Sequence, residues 1–269
     1  MTTLGEPIAR GRTSEIYDWG EGRVLKLFLS TYPRWWAEDE IRTQSAIATL
    51  GLPTPAFYEQ HDVDGRPGMV IERLSGPTLL EELGHKPWRM GAGGRMLAEL
   101  QAQVHRAPGP EALKTQRAWV SPGILNRDLL PPPLKARVIA ALDALPDGPW
   151  LCHGDFHPGN IMLTPRGPMI IDWMTASRGL PVGDVARSSV LLAAAQVPPG
   201  TPMPGLVNML RQGLHRSYLK RYDRVAGFDQ AQWHAWRAIM AANFLDVSVE
   251  AEREGLLGIV SAELDAAGA

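Results

Sequence analysis

His153-Gly154-Asp155-Phe156-His157-Pro158-Gly159-Asn160, with Asp172 closing the apolar run Met169-Ile170-Ile171, is the stretch from which the rest of the chain is read. A carboxylate stands five residues before an amide, and a second carboxylate twelve residues after it. Moving a nucleotide's terminal phosphoryl group to a hydroxyl needs such a set. One carboxylate orients and deprotonates the acceptor, while an amide oxygen and a second carboxylate hold Mg²⁺ on the phosphates. Trp150-Leu151-Cys152 reads as a short buried strand leading into the loop. Ile161-Met162-Leu163 and Met169-Ile170-Ile171 read as a hairpin around Thr164 to Pro168. Asp155 and Asn160 then sit at the two ends of one tight loop, and Asp172 ends the returning strand beside Asn160. Gly154, Pro158 and Gly159 suit a loop of fixed, unusual backbone geometry.

Plainer readings exist for each residue alone. An Asp in a Gly/Pro loop is usually a turn residue, and an Asp after a strand often caps a helix. The joint pattern is not explained by turns. His153, Asp155 and His157 are competent zinc ligands, which leaves a metal-dependent hydrolase as an alternative. Their spacing is not H-E-x-x-H, however, and the glycines and proline oppose a helix presenting both rings on one face.

The segment His153 to Met162, with Ile171-Asp172-Trp173 downstream, resembles the signature of the aminoglycoside phosphotransferase and choline kinase-like small-molecule kinases. It shares with protein kinases the five-residue step from catalytic Asp to metal-binding Asn. The resemblance in element order extends over almost the whole chain. It implies an α+β, two-lobed protein-kinase-like fold, with a small β-rich N-lobe (residues 1–74) and a larger, mostly helical C-lobe (residues 75–269). By the same resemblance Asp155 is the catalytic base, Asn160 and Asp172 are the metal ligands, and ATP and Mg²⁺ are the cofactors. Gly183-Asp184-Val185-Ala186-Arg187 matches a downstream element whose Asp buttresses the catalytic loop through backbone hydrogen bonds. Asp172 is followed by Trp173-Met174 and not by Phe-Gly, which argues against a protein-kinase activation loop.

The N-terminal part carries the corresponding nucleotide-binding features. Ile8 to Arg10, Glu15 to Trp19 and Arg23 to Phe28 read as strands. The first turn, Gly11-Arg12-Thr13-Ser14, covers the phosphates in the family reading, with Ser14 and backbone N–H groups as donors. On its own it is a plain hairpin turn. Lys26 interrupts Val24-Leu25-x-Leu27-Phe28, where a buried cation needs an anionic partner. The other possibility is an edge-strand lysine facing water. Arg34 to Leu50 reads as a helix, with Trp36, Glu40, Thr43 and Ile47 on one face. Glu40 is the expected partner of Lys26, with Glu38 as the fallback. Phe57 to Glu59 and Gly68 to Glu72 form a hairpin across Asp64-Gly65. Arg73 to Pro77 reads as a hinge, and the resemblance implies that adenine bonds to backbone groups from Glu72 to Leu74.

In the second lobe, Thr78-Leu79-Leu80-Glu81 is a capping-box pattern. Arg95 to Arg106 is an amphipathic helix with Leu97, Leu100 and Val104 as its stripe and His105 at its end. Residues 107–133 are Pro-rich and read as irregular, before a helix from Leu134 to Leu145. Helices follow at about 184–195, 204–222, 229–248 and 250–266. Residues 204–240 hold six basic and two acidic residues, whereas 241–269 hold six acidic residues and one basic. Acidic groups near a cleft would favour a cationic acceptor, but a solvated helix face is the plainer reading. Trp173, Trp233 and Trp236 are candidates for a pocket wall or, more simply, for core packing.

Composition excludes several classes. The chain has 269 residues, 45% hydrophobic and 21% charged, ordinary for a folded soluble protein of one large domain or two lobes. A net charge of −2 gives no overall attraction to nucleic acid or an anionic membrane. Its one cysteine, Cys152, excludes an intramolecular disulfide framework and reads as core packing. The first residues are neither a basic n-region nor an apolar h-region, and no run of about 18 apolar residues occurs. No secretory signal or membrane span is therefore expected, and the cytoplasm is the natural location. The expected partner is a small hydroxylated acceptor whose identity is not readable, and the sequence does not give the oligomeric state. A nucleotide-binding module without turnover is the competing class.

Overall fold

The computed structural model describes residues 4–125, 129–194, 203–245 and 250–268. Its strands are β1 (Ala9–Arg10), β2 (Ser14–Gly20), β3 (Arg23–Phe28), β4 (Phe57–Gln60), β5 (Gly68–Glu72), β6 (Trp150–Cys152), β7 (Ile161–Thr164), β8 (Gly167–Ile170) and β9 (Ser177–Gly179). Its helices are α1 (Arg34–Ala48), α2 (Leu79–His85), α3 (Met90–Val104), α4 (Gln116–Leu125), α5 (Pro132–Ala144), α6 (Pro181–Ala194), α7 (Pro204–Val225), α8 (Gln230–Phe244) and α9 (Glu250–Ala267). The chain forms two compact units. One comprises Met1–Thr78 and Asn160–Met174, the other Leu79–Gly159 and Thr175–Ala269.

The first unit is built on an antiparallel sheet of order β1-β2-β3-β5-β4. Side chains alternate across a strand, so β3 serves two clusters. Leu25 and Leu27 pack with Tyr17 and Val70 on one face. Phe28 packs with Met69 and with Ala37 and Ile41 of α1 on the other. Lys26 shares the parity of Phe28, which aims it at the α1 side. Asp64 and Gly65, both at positive φ, turn the chain between β4 and β5. The inward face of α1 is Ala37, Glu40, Ile41, Thr43, Gln44 and Ile47. Trp36, expected on that face, is instead 44% exposed. It lies at the helix start, against the rings of Tyr32 and Trp35, at centroid distances of 5.4 and 5.5 Å.

The β7–β8 hairpin belongs to this unit, where the sequence boundary at residues 74/75 had grouped it with the second lobe. The reason is backbone pairing. Leu163 N donates to Pro77 O at 2.8 Å, and Ile170 N to Pro53 O at 2.7 Å. Gly76 lets the two segments approach, because a Cβ there would lie 2.0 Å from Leu163 O.

The second unit is mainly helical, with α3 packed on α7, and α8 packed on α6 and α9. Helix α3 begins at Met90, earlier than the expected Arg95. Gly91, Gly93 and Gly94 look like helix breakers, but Gly94 is a packing residue: a Cβ there would lie 2.4 Å from Leu214 O of α7. Within the segment 107–133, expected to be irregular, α4 runs through Pro122. Asn126 to Asp128 of that segment lie outside the described residues, as do the predicted helix ends at 195 and 246–248 and the acidic Asp246. Asp229 caps α8 by accepting from Gln232 N at 2.8 Å. Trp233 and Trp236 are core residues, at 6% and 2% exposure. Cys152 is buried, and burial raises its thiol well above the usual value.

Candidate active site

In the second unit, β6 delivers the chain into the loop that begins at His153 and is clamped from below by α6. Gly154 takes φ +80, and a Cβ on it would lie 2.4 Å from Thr175 O, so only glycine fits. Two backbone donors then point at one carboxylate. His153 N donates to Asp184 Oδ2 at 3.0 Å, and Gly154 N donates to Asp184 Oδ1 at 2.7 Å. Arg187, one turn along α6, donates through Nε to the carbonyl of Gly154. Its guanidinium lies 4.4 Å from the Trp119 ring centre and donates to Asn243 Oδ1 at 3.2 Å. Burial lowers Arg187 to about 10, against the pull of Asp155 and Asp184, so it stays cationic at neutral pH.

Asp184 is 1% exposed and ionised. Burial opposes its charge, but His105 and Gln101 outweigh burial and hold it well below the usual carboxylate range. His105 Nε2 lies 2.9 Å from Asp184 Oδ2, and Gln101 Nε2 donates to the same oxygen at 2.9 Å. His105 Nδ1 is 2.6 Å from Tyr222 Oη, and Tyr218 Oη donates to Gln101. His105, expected only to end a helix, is thus part of the buried support beneath the loop. The signal for it was present: Gln101 and His105 stand four apart among Leu97, Leu100 and Val104, so two polar residues lie on an inward face.

Asp155 follows this clamp with its side chain 30% exposed. Its N–H donates to His153 Nδ1 at 3.2 Å, and Gly159 N donates to His157 Nδ1 at 3.0 Å. His157 Nε2 is 3.5 Å from Asp155 Oδ2. Burial alone pushes the Asp155 carboxyl up. The hydrogen bond and charge of His157, with the charges of Arg187 and His153, outweigh that and hold it below the usual value. The result is a carboxylate that is ionised at neutral pH. The zinc alternative finds no support in these contacts. Both rings spend Nδ1 on loop N–H groups, and no three His, Cys, Asp or Glu among the described residues are grouped to hold a metal.

The first unit holds the other candidate residues. Ile171 N donates to Asn160 O at 3.0 Å, so Asp172 emerges beside Asn160 at the open end of the β7–β8 hairpin. Asp172 is exposed and takes φ 63, a left-handed conformation uncommon outside glycine. Trp173 turns inward, at 1% exposure, and donates from Nε1 to Thr54 Oγ1 at 2.9 Å. Lys26 is brought together with Glu40, not with Glu38, which pairs with Arg34 at 2.8 Å. Because β3 is central in the sheet, Lys26 is not an edge-strand lysine. Burial raises the Glu40 carboxyl, Lys26 lowers it and Asp172 raises it, with a net upward shift. Glu40 Oε2 and Tyr32 Oη are buried without a hydrogen-bond partner among the described residues. Burial, Glu40 and Asp172 push the Tyr32 hydroxyl up to about 12. Hard oxygen donors on Asn160 and Asp172, and an orphaned carboxylate oxygen close enough to Asp172 to be perturbed by it, suit a Mg²⁺ ion.

Among the nucleotide candidates, Gly11 N is committed to Ser14 O at 2.8 Å, while the N–H groups of Arg12 and Thr13 have no partner among the described residues. Ser14 itself is 5% exposed, at the start of β2, which makes it a poor donor to a ligand. Glu72 N donates to Ala56 O at 2.9 Å, and the Glu72 carboxylate receives Arg166. Leu74, past the end of β5, makes no backbone hydrogen bond among the described residues, so its N–H and C=O are available.

A phosphotransferase enzyme family matches residues 5–239, a span that includes Lys26, Glu40, Asp155, Asn160, Asp172 and Asp184. The chain belongs to that family. None of the curated proteins matches it in sequence. Its fold is shared with aminoglycoside phosphotransferase APH(4)-Ia, solved as a thermostable mutant in a ternary complex with AMP-PNP and hygromycin B. That likeness has 17% identity and a TM-score of 0.62 over 98% of this chain and 94% of that one. A choline/ethanolamine kinase family protein from Mesorhizobium loti is similar at 18% identity, TM-score 0.56, over 99% and 92%. Aminoglycoside-3'-phosphotransferase of type VIII is similar at 19% identity, TM-score 0.58, over 90% and 93%. The α+β architecture is that of this family, and the protein is a small-molecule phosphotransferase.

Proposed function

We propose that this phosphotransferase moves the γ-phosphoryl group of ATP to a hydroxyl of a small acceptor, with Asp155 as the proton acceptor. The observation that carries the reading is an ionised Asp155 directly after a loop whose backbone is fixed by Asp184 and Arg187. In the reaction the acceptor oxygen bonds to the γ-phosphorus, the bond from that phosphorus to the bridging oxygen of ADP breaks, and the hydroxyl proton passes to Asp155. Asn160 and Asp172 would hold Mg²⁺, which neutralises charge on the phosphates when bound. Lys26, kept in place by Glu40, would meet phosphate oxygens. The free N–H groups of the Gly11–Ser14 turn offer further donors, and Leu74 offers backbone groups to adenine. No helix among the described residues is long and apolar enough to cross a membrane. A cytoplasmic location would supply the nucleotide.

Two of the C-terminal acidic residues are engaged internally. Glu263 receives Arg237 and lies 2.6 Å from His234, and Asp265 receives Arg137 at 2.7 Å. The charge of that segment therefore gives little support to a specifically cationic acceptor. The test is a screen of hydroxylated metabolites, aminoglycosides and amino-alcohols for acceptor-dependent ADP release in ATP and Mg²⁺. One acceptor that releases ADP and gains phosphate in equal amounts supports the proposal. Protection against heat by ATP and Mg²⁺ with no turnover on any acceptor would instead indicate a binding module.

A further inference from the structure

The close approach of α3 and α7 at Gly94 leaves a concave surface beside the contact. A cavity of about 250 Å³ opens there, lined by Arg95, Ser217, Lys220, Arg221 and Arg224. Four of its five lining side chains are cations, in a chain whose net charge is −2. Among the described residues only Arg221 has a counter-ion, Glu99, at 2.7 Å. The side chains of Arg95, Lys220 and Arg224 have neither an ion pair nor a hydrogen bond among the described residues. Ser217 is spent on the carbonyl of Gly91 at 2.7 Å and forms part of the wall.

Ordinary helix electrostatics do not account for the cluster. Arg224 near the C-terminus of α7 is favoured by the helix dipole. Arg95, in the second turn of α3, lies toward the positive end of its own helix and gains nothing from it. On α7, Lys220 and Arg224 are four apart, and Arg221 and Arg224 three apart, spacings at which like charges repel. Convergence of these groups on a concavity, and not along a flat face, favours a compact ligand over an extended polymer or a membrane surface. The volume exceeds that of a single phosphate and falls short of a typical drug-sized site.

We infer that this pocket between α3 and α7 binds a compact multivalent anion of the polyphosphate type, through Arg95, Lys220, Arg221 and Arg224. Such a ligand relieves the repulsion along α7 and supplies the partners that three of the cations lack. Its binding weakens with salt, because the side chains are solvent-facing and screened.

Inorganic tripolyphosphate is the probe, titrated calorimetrically into the whole protein at low ionic strength with EDTA. Three proteins are compared: wild type, the double variant Arg95→Gln/Arg224→Gln, and Lys26→Ala, which removes the phosphate-binding cation proposed for the nucleotide. Wild type and Lys26→Ala should share one saturable event, and the double variant should weaken it about tenfold or more. The double variant alters solvent-facing charge, whereas Lys26→Ala leaves the buried Glu40 without its partner, so a thermal melt checks that both variants still unfold cooperatively. Equal binding by wild type and the double variant overturns the inference. So does loss of the event in Lys26→Ala alone, absence of saturable binding in wild type, or binding to phosphatidylserine vesicles but not to tripolyphosphate.

Discussion

Replacing Asp184 with asparagine should unlock the loop that precedes Asp155. Four donors converge on that carboxylate: His153 N, Gly154 N, Gln101 Nε2 and His105 Nε2, at 2.7–3.0 Å. An asparagine offers one acceptor atom where the aspartate offers two, and its amide confronts whichever donors face that side. Leaving one or two buried donors unpaired costs about 1–3 kcal/mol each, so a loss of about 2–5 kcal/mol is expected. That is a large share of the roughly 5–15 kcal/mol that holds a typical domain together. The pH dependence gives a second signature. A carboxyl held below its unfolded value contributes stability that is fully present above about pH 4 and is lost as the pH falls toward its folded value. Wild type should therefore lose this contribution in acid while the variant has none to lose, and the gap between them should narrow below about pH 4. Urea denaturation at a series of pH values measures both. A gap under about 0.5 kcal/mol at neutral pH, or one that stays constant into acid, would refute the assignment of Asp184 as the clamp.

Lys26→Ala and Glu40→Ala should be strongly non-additive in kcat/KM, because each removes the partner of the other; additive losses in a double-mutant cycle would separate them. Gly154→Ala should destabilise by about 2–4 kcal/mol, since φ +80 is combined with a Cβ that meets a backbone oxygen, and an unchanged melting temperature would contradict this. His215 is lowered to about 4 by burial and by Arg237 and Arg211. The unfolded chain therefore takes up that proton first as pH falls. Stability from this group should be complete above about pH 6.5 and decline by about 3 kcal/mol on the way to pH 4, and His215→Gln should flatten that slope in a pH series of melts.

Much of the fold was legible because local and global signals agree. The apolar residues of Val24 to Phe28 mark β3, and Lys26 stands out as the one cation among them, while Asp64-Gly65 carries the turn conformation that its residues favour. The His153–Asn160 segment was legible because its chemistry is local in sequence. What the sequence concealed depends on packing. Gly94 looks like punctuation until α7 is laid against α3, and Gly93 until Leu83 is set beside it, while Pro122 hides a helix stabilised by its neighbours. The three-residue β9 is too short to carry a period, and its strand character comes from pairing with β6. Trp36 lies on the same stripe as Glu40, Thr43 and Ile47, which are buried, but stands in the first turn of α1 and stays exposed. His105 and Tyr222 are 117 residues apart, a contact no local pattern signals.

The most direct test of the account is Asp155→Asn with an acceptor found by the ADP-release screen. The substitution keeps the shape of the side chain and removes the proton acceptor. Stability should change by about 1 kcal/mol or less, because the side chain is partly solvated, at 30% exposure. Nucleotide affinity should be retained, since Lys26, Asn160 and Asp172 are untouched, while kcat should fall about 10²–10⁴-fold. Near-normal phosphoryl transfer by the variant, at unchanged affinity for ATP, would contradict the assignment of Asp155 as the base.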